Sequence, residues 1–279
     1  MLAKRNGIPT VATNFSWDNL FNTAKQIRKS DYLIAWNEAL VKKAAVEIHH
    51  YPEDHVFVSG IMRFDHHFSK RHGIKNPAER KNFLDSKDLD PSLKTVLYTT
   101  VPPQIYPFQV EFLERLIRLR DERALGCDYN IIVRLHPRDD FQYYKKFIGL
   151  KNVHVENAGK LKTTRGAQLH KVEMDDEDLE NLRQTLLYSD LAVNFRSSLT
   201  LETCIYDLPT INLAYHGYEL YYQMDHYIPV LERGVVRLVH DEKEFIKTAK
   251  DYLNNPRLDS ENRLEWAKEY VPLQDGFAY

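Results

Sequence analysis

SDLAVNFRSSLTLETCIYDLPTINLAYHG, residues 189 to 217, runs from a short apolar strand through a polar turn into a helix and out along a second apolar strand. Asp190 to Val193 leads into Asn194-Phe195-Arg196-Ser197-Ser198, where two hydroxyls stand just ahead of the helical pattern Leu199 to Tyr206. A helix start carries unpaired backbone N–H groups and partial positive charge, and it seats phosphate naturally. Glu202 follows Ser198 by four residues, which puts both on one helical face. A phosphate at the hydroxyls and a sugar hydroxyl at the carboxylate would suit one nucleotide lying along that face. The plain alternative is a helix cap followed by an ordinary surface Glu. A capping box, however, places its Glu three residues after the cap.

Outward from this segment, strand and helix patterns alternate. Before it come strands at Ile8 to Thr13, Tyr32 to Trp36 and His55 to Ser59, with helices at Asp18 to about Ile27 and Glu38 to His49. Residues 70 to 92 are rich in Lys, Asp, Asn and Pro without clear period and read as a linker with some helix. The alternation restarts with strands at Thr95 to Thr100, Tyr129 to Leu135 and Asn152 to Val155 and helices at Tyr106 to Ala124, Asp140 to Phe147 and Asp176 to Tyr188. Residues 157 to 172 read as a mobile loop. Strands Pro209 to Leu213 and Val235 to Val239 and helices Glu242 to Leu253 and Ser260 to Glu269 complete the set. Repeated strand–helix units predict an α/β fold with a mainly parallel sheet, right-handed crossovers and helices on both faces. Ligands of such sheets lie beyond the carboxyl ends of the strands, so the loops after residues 13, 100, 135, 193 and 213 matter most. The divisions expected are a partial first α/β domain over 1–70, a linker over 71–92 and a complete Rossmann-like domain over 93–279, its last helix free to cross back.

The chain has 279 residues and a net charge of −2, which argues against a general nucleic-acid binder, since phosphate contacts need a basic excess. No apolar run approaches the ~18 residues of a membrane span, and MLAKRNGIPT lacks the apolar core of a signal peptide. Cys127 and Cys204 form no CxxC and fit a reduced, cytoplasmic setting. There is no GxGxxG and no Walker loop, which disfavours NAD and P-loop chemistry.

The loop after Leu135 reads His136-Pro137-Arg138-Asp139-Asp140. A His directly after a strand, followed by a Pro that stops the ladder, is aimed into the crevice. Arg134 and Arg138 flank it, and such a cluster could neutralise a diphosphate leaving group. Thr100 and Arg196, at neighbouring strand ends, join the candidate phosphate contacts. The alternative for this loop is an Asp139/Asp140 helix cap preceded by a packed His. Near the start, Trp17 could wall a pocket and Asp18 could act as general base if it faces the second domain across a cleft. As a plain N-cap it would only satisfy an N–H. Histidines 49, 50, 55, 66 and 67 gather around Asp65 without a metal-ligand spacing, so no metal is expected.

Three pieces carry a family likeness: IPTVATNFSWDNL with DYLIAWNE and HVFVSGIMRFD; NIIVRLHPR; and SDLAVNFRSSLTLETCIYDLPTINL. Together they resemble bacterial glycosyltransferases of the GT-B fold, in particular those grouped with CDP-glycerol glycerophosphotransferase-like and surface-polysaccharide enzymes. The resemblance implies a nucleotide-sugar donor held by the second domain, with His136, Ser197 and Ser198 near its phosphates and Glu202 at the ribose. It implies a glycan or lipid-linked acceptor, peripheral contact with the inner membrane face, and no cofactor beyond the donor. Where related transferases carry a WHG histidine as base, this chain has Asp18. Relatives also carry a fuller first domain. A sheet of about three strands would leave exposed edges, and the expectation is that this part pairs with another chain, in a homo-oligomer or with a partner, or packs on the second domain. Rival readings are a sugar-nucleotide 2-epimerase or hydrolase of the same fold, and a non-catalytic nucleotide-binding scaffold.

Overall fold

The computed structural model describes residues 2–14, 16–22, 30–68, 74–162 and 171–272. The first three strands, β1 (Val11–Thr13), β2 (Tyr32–Ala35) and β3 (Val56–Val58), form a parallel sheet in the order β1-β2-β3. The larger sheet takes β4 (Lys94–Thr99), β5 (Tyr129–Leu135), β6 (Val153–Asn157), β9 (Leu191–Asn194), β10 (Thr210–Leu213) and β11 (Arg237–Val239). Its order is β11-β10-β9-β4-β5-β6, with every neighbouring pair parallel. Two short antiparallel strands, β7 (Lys160–Lys162) and β8 (Lys171–Glu173), make a separate hairpin. The expected α/β architecture with parallel sheets is the one seen.

Every residue of β5, Tyr-Asn-Ile-Ile-Val-Arg-Leu, is buried, as a strand covered on both faces must be. The smaller sheet is different. Leu33, Ala35 and Val56 point inward under the helical run Glu38–Lys42 and Lys43–Glu47, whereas Val11 is 61% and Phe57 55% exposed on the other face. That outer face is bare in the chain as described.

The helix Ser260–Tyr270 ties the two sheets together. It packs on the helix Leu199–Ile205, and its Arg263, fully buried, donates to Asp207 (2.8 Å) and to the carbonyls of Leu258 (2.8 Å) and Pro256 (3.0 Å). At its far end the Tyr270 carbonyl accepts from Asn37 Nδ2 at 2.8 Å. Asn37 also caps the Glu38–Lys42 turn by accepting from the N–H groups of Leu40 and Val41, both at 3.0 Å. An Asn37→Ala variant should therefore lose about 2 kcal/mol, a cap plus a buried carbonyl's donor, read as a lower urea midpoint. An Asn37→Asp variant keeps the cap but sets a buried carboxylate oxygen against the Tyr270 carbonyl, so it should not recover the loss.

The helix expected from Asp18 to about Ile27 is present as Asn19–Asn22, with residues 23–29 outside those described. The linker region contains a helix, Pro77–Asp85, capped by Asn76; residues 69–73 lie outside the described set. Of the loop expected over 157–172, residues 163–170 lie outside, and the flanks are the β7–β8 hairpin. Among the described residues no helix is long and apolar enough to cross a membrane.

Candidate functional site

β4 lies between β5 and β9, so the loops that follow those two strands stand two strand spacings apart, roughly 10 Å. The loop after β5 is held by Thr100, whose hydroxyl accepts from the His136 backbone N–H at 2.8 Å. His136 Nδ1 accepts from the backbone N–H of Arg138 at 3.0 Å, which leaves the ring proton on Nε2. Burial, and then the Arg138 charge, lower its pKa to about 4. At neutral pH His136 is thus a neutral Nε2–H donor, suited to a phosphate oxygen and unsuited to carry positive charge. Arg138 is exposed beside it. Asp139, whose pKa burial raises, accepts from Tyr144 Oη (2.8 Å) and Gln109 Nε2 (3.1 Å), so it serves the loop's frame.

The loop after β9 turns sharply at Arg196, whose φ is +36°. The Tyr222 hydroxyl accepts from its backbone N–H at 3.2 Å, and its guanidinium folds back onto the Tyr221 carbonyl (3.0 Å) and Met224 Sδ. Ser197 Oγ accepts from Leu199 N–H at 3.2 Å and is the capping hydroxyl. Ser198 occupies the cap position without a side-chain cap bond and is half-buried. Its hydroxyl is the one left for a ligand. The intervening loop joins the two ends through Tyr106, stacked on Phe195 at 4.6 Å between centroids and 9° between planes.

Two expected ligand contacts are buried in ion pairs. Arg134 is buried, with Nη1 on Glu156 (2.9 Å) and Nη2 on both oxygens of Asp178 (2.9 and 2.8 Å). It faces the edge of the sheet and the helix Asp176–Tyr188, because its register partner on β6 is Glu156 itself. Glu202 is buried too. His67 Nε2 lies 3.2 Å from Oε2 and Arg63 Nη2 3.5 Å from Oε1, and the other nitrogen of His67 lies 2.9 Å from the Tyr206 hydroxyl. Burial pushes the Glu202 pKa up, but the hydrogen bond and charge of His67, with Arg63 behind them, bring it below the ordinary value. The ribose carboxylate of the sequence reading is here an ion-pair partner of the first domain.

Asp18 is half-buried. Its charge and that of Arg196 act in opposite directions on His226, whose pKa burial brings down to about 4. His226 packs against Trp17 (5.2 Å, edge-on) and Phe21 (5.6 Å), and Trp17 also meets Tyr227 at 5.5 Å. Through Trp17 the segment that carries Asp18 thus packs on the His226–Tyr227 segment of the larger domain. No motif surrounds His226, and the histidines around His67 lack a metal-ligand spacing. Among the described residues no group of three or more His, Cys, Asp or Glu could hold a metal ion.

A cavity of about 350 Å³ opens at the carboxyl ends of all three strands of the smaller sheet. Thr13 ends β1 and Asn14 follows it, Trp36 follows β2, and Ser59 to Met62 follow β3, with Arg63 at the side nearest Glu202.

No protein-family profile matches the chain, and no curated protein does either. Solved structures do. The wall teichoic acid polymerase TagF aligns at 17% identity with a TM-score of 0.57, over 88% of this chain and 53% of that one. The UDP-GlcNAc 2-epimerase from Methanocaldococcus jannaschii, in complex with UDP-GlcNAc and UDP, aligns at 18% and 0.54, over 91% and 65%. S. aureus MnaA, in a co-structure with UDP, aligns at 13% and 0.59, over 98% and 66%. The chain spans about half the length of the TagF structures. At these identities the likeness is one of fold: the chain has the GT-B-like α/β architecture of these structures.

Proposed function

We propose that this chain is a nucleotide-sugar-dependent transferase, glycosyl or glycerophosphoryl, acting in cell-surface glycan assembly on a glycan or lipid-linked acceptor at the inner membrane face. The observation that supports it best is that Trp17, next to Asp18 in the smaller domain, packs edge-on against His226 of the larger one at 5.2 Å, with Asp18 and Arg196 both near enough for their charges to act on that ring. In this reading His136 Nε2–H, Arg138 and the Ser198 hydroxyl hold the donor phosphates. Asp18 removes the proton of the acceptor hydroxyl as its oxygen attacks, and the nucleotide leaves with its charge met by these donors. The Arg138 charge and these neutral donors take the place of a divalent cation. Arg134, Thr100 and Ser197 position the loops rather than touch the donor, since their polar atoms serve the protein.

The thermal-shift response to UDP-, GDP- and CDP-linked ligands tests this reading. One of them at a hundred times its Kd should stabilise by about 2.7 kcal/mol, several degrees for a chain of this size. His136→Ala and Ser198→Ala should remove that shift, and Asp18→Ala should retain it while losing turnover. A full shift in folded His136→Ala refutes the phosphate role. The epimerase reading keeps the support of the two UDP-bound neighbours; a 2-epimerised product formed without acceptor would select it.

A further inference from the structure

We infer that Tyr227 is a positioning residue, through which the smaller domain's Trp17–Asp18 segment sets the turn after β9 that carries Ser198. That turn needs outside support. Arg196 holds φ at +36°, a left-handed conformation that is costly for a residue with a Cβ and persists only where its surroundings over-determine it. Ser198, at the cap position, makes no side-chain cap bond that would fix it.

The support comes from two tyrosines of one segment. The Tyr227 hydroxyl donates to Asn212 Oδ1, which commits its one proton, so it accepts from Thr200 Oγ1 at 3.1 Å. Asn212 Nδ2 in turn donates to Asn194 Oδ1 at 2.7 Å. Asn194 is the last residue of β9 and Thr200 the second of the helix Leu199–Ile205, so one phenol ties the chain on both sides of the turn. Tyr222 adds a grip in the middle, accepting from the Arg196 N–H at 3.2 Å and donating to the Leu213 carbonyl at 2.8 Å. Its ring lies 5.4 Å from that of Tyr227. Asn194, Thr200, Asn212, Tyr222 and Tyr227 are all fully buried.

The same ring also meets the smaller domain. Trp17, itself buried, lies edge-on to Tyr227 at 5.5 Å and to His226 at 5.2 Å, and Phe21 packs on His226 at 5.6 Å. Close-packed interiors transmit a displacement rather than absorb it. A shift of Trp17 therefore reaches Thr200 and Asn194 through one side chain. Glu202, two residues after Thr200, lies on the opposite face of that helix and answers to Arg63 and His67, so the two interdomain contacts are separable. On the transferase reading, on which this consequence rests, one phenol keeps the base Asp18 and the phosphate seat at Ser198 in register. The clamp itself requires no donor.

Tyr227→Phe keeps the ring and removes the hydroxyl. Its control is Tyr129→Phe, which deletes a buried hydroxyl that donates to the Leu116 carbonyl at 2.9 Å, at the opposite end of the larger sheet. Amide hydrogen exchange of the full chain without ligand should quicken about tenfold across residues 196–201 in Tyr227→Phe and in Trp17→Leu. In Tyr129→Phe it should stay at the parent rate there. The double variant Trp17→Leu/Tyr227→Phe should exchange no faster than the faster single variant, because both changes act through one ring. Inorganic pyrophosphate, a mimic of the donor diphosphate, should bind Tyr227→Phe about tenfold more weakly in calorimetric titration and bind Tyr129→Phe as it binds the parent. Parent exchange rates across the turn in Tyr227→Phe overturn the inference, whatever the anion affinity, as do effects that add in the double variant. A parent protein that ignores pyrophosphate, while Tyr227→Phe still loosens the turn, removes the donor reading and leaves the positioning role standing.

Discussion

Arg134→Met should melt roughly 10 °C below the parent protein. Removing the cation leaves Asp178 without its fork and Glu156 with Lys87 as its remaining cation, both carboxylates inside the fold. Breaking a buried pair from one side costs about 3–5 kcal/mol, and a chain of this size loses about 2–4 °C per kcal/mol. Burial pushes the Glu156 pKa up, but His154, Lys87 and Arg134 together hold it far below the carboxylate range. The depressed value means that this network stabilises the protein above the unfolded carboxylate pKa of about 4.3, and that the contribution is lost as pH falls through the folded value. Circular dichroism melts read the first effect. Nucleotide affinity of the folded variant should be unchanged, which separates a structural arginine from a phosphate ligand. An unaltered melt with lost nucleotide binding would return Arg134 to the donor site.

Glu202→Gln should also melt lower, by about 6 °C or more, because His67 and Arg63 lose the charge they share. A ribose ligand would behave in the opposite way, losing nucleotide affinity and keeping its melt. Since the Glu202 pKa is depressed, the gap between parent and variant should be full near neutrality, begin to close below about pH 4.3 and vanish under the folded value. The comparison has to be a difference. His66, His136 and His226 are each lowered to about 4, chiefly by burial. The unfolded chain protonates its histidines first, near pH 6.5, so both proteins weaken as pH falls from there toward 4.

The alternation of short β-branched runs with amphipathic stretches made both parallel sheets legible, since local periodicity is what a sheet of this kind requires. The strand-end position of His136 was equally legible, because Pro137 stops the ladder directly after it. Arg134 shows where such reading ends. Two residues before His136, on the strand that delivers it, Arg134 meets a carboxylate on β6, and only the pairing of residues 22 apart in sequence reveals that. Glu202 is the longer-range case: its partners lie 135 and 139 residues upstream. Adjacent histidines at 66 and 67 carry no local sign that one of them answers a carboxylate in another domain. Asn14 and Trp36 stand at strand ends, and the space beside them exists only once β1, β2 and β3 are aligned.

The bond from Asn37 to the Tyr270 carbonyl joins positions 233 residues apart. A ribosome delivering this chain at about 5–20 residues per second releases the smaller sheet many seconds before the helix that clasps it. Through that interval the early third of the polypeptide waits with an unfinished core, and contacts this remote in sequence are slow to form. Nascent chains stalled short of residue 270 should therefore be held by chaperones or cut by proteases at their amino-terminal end.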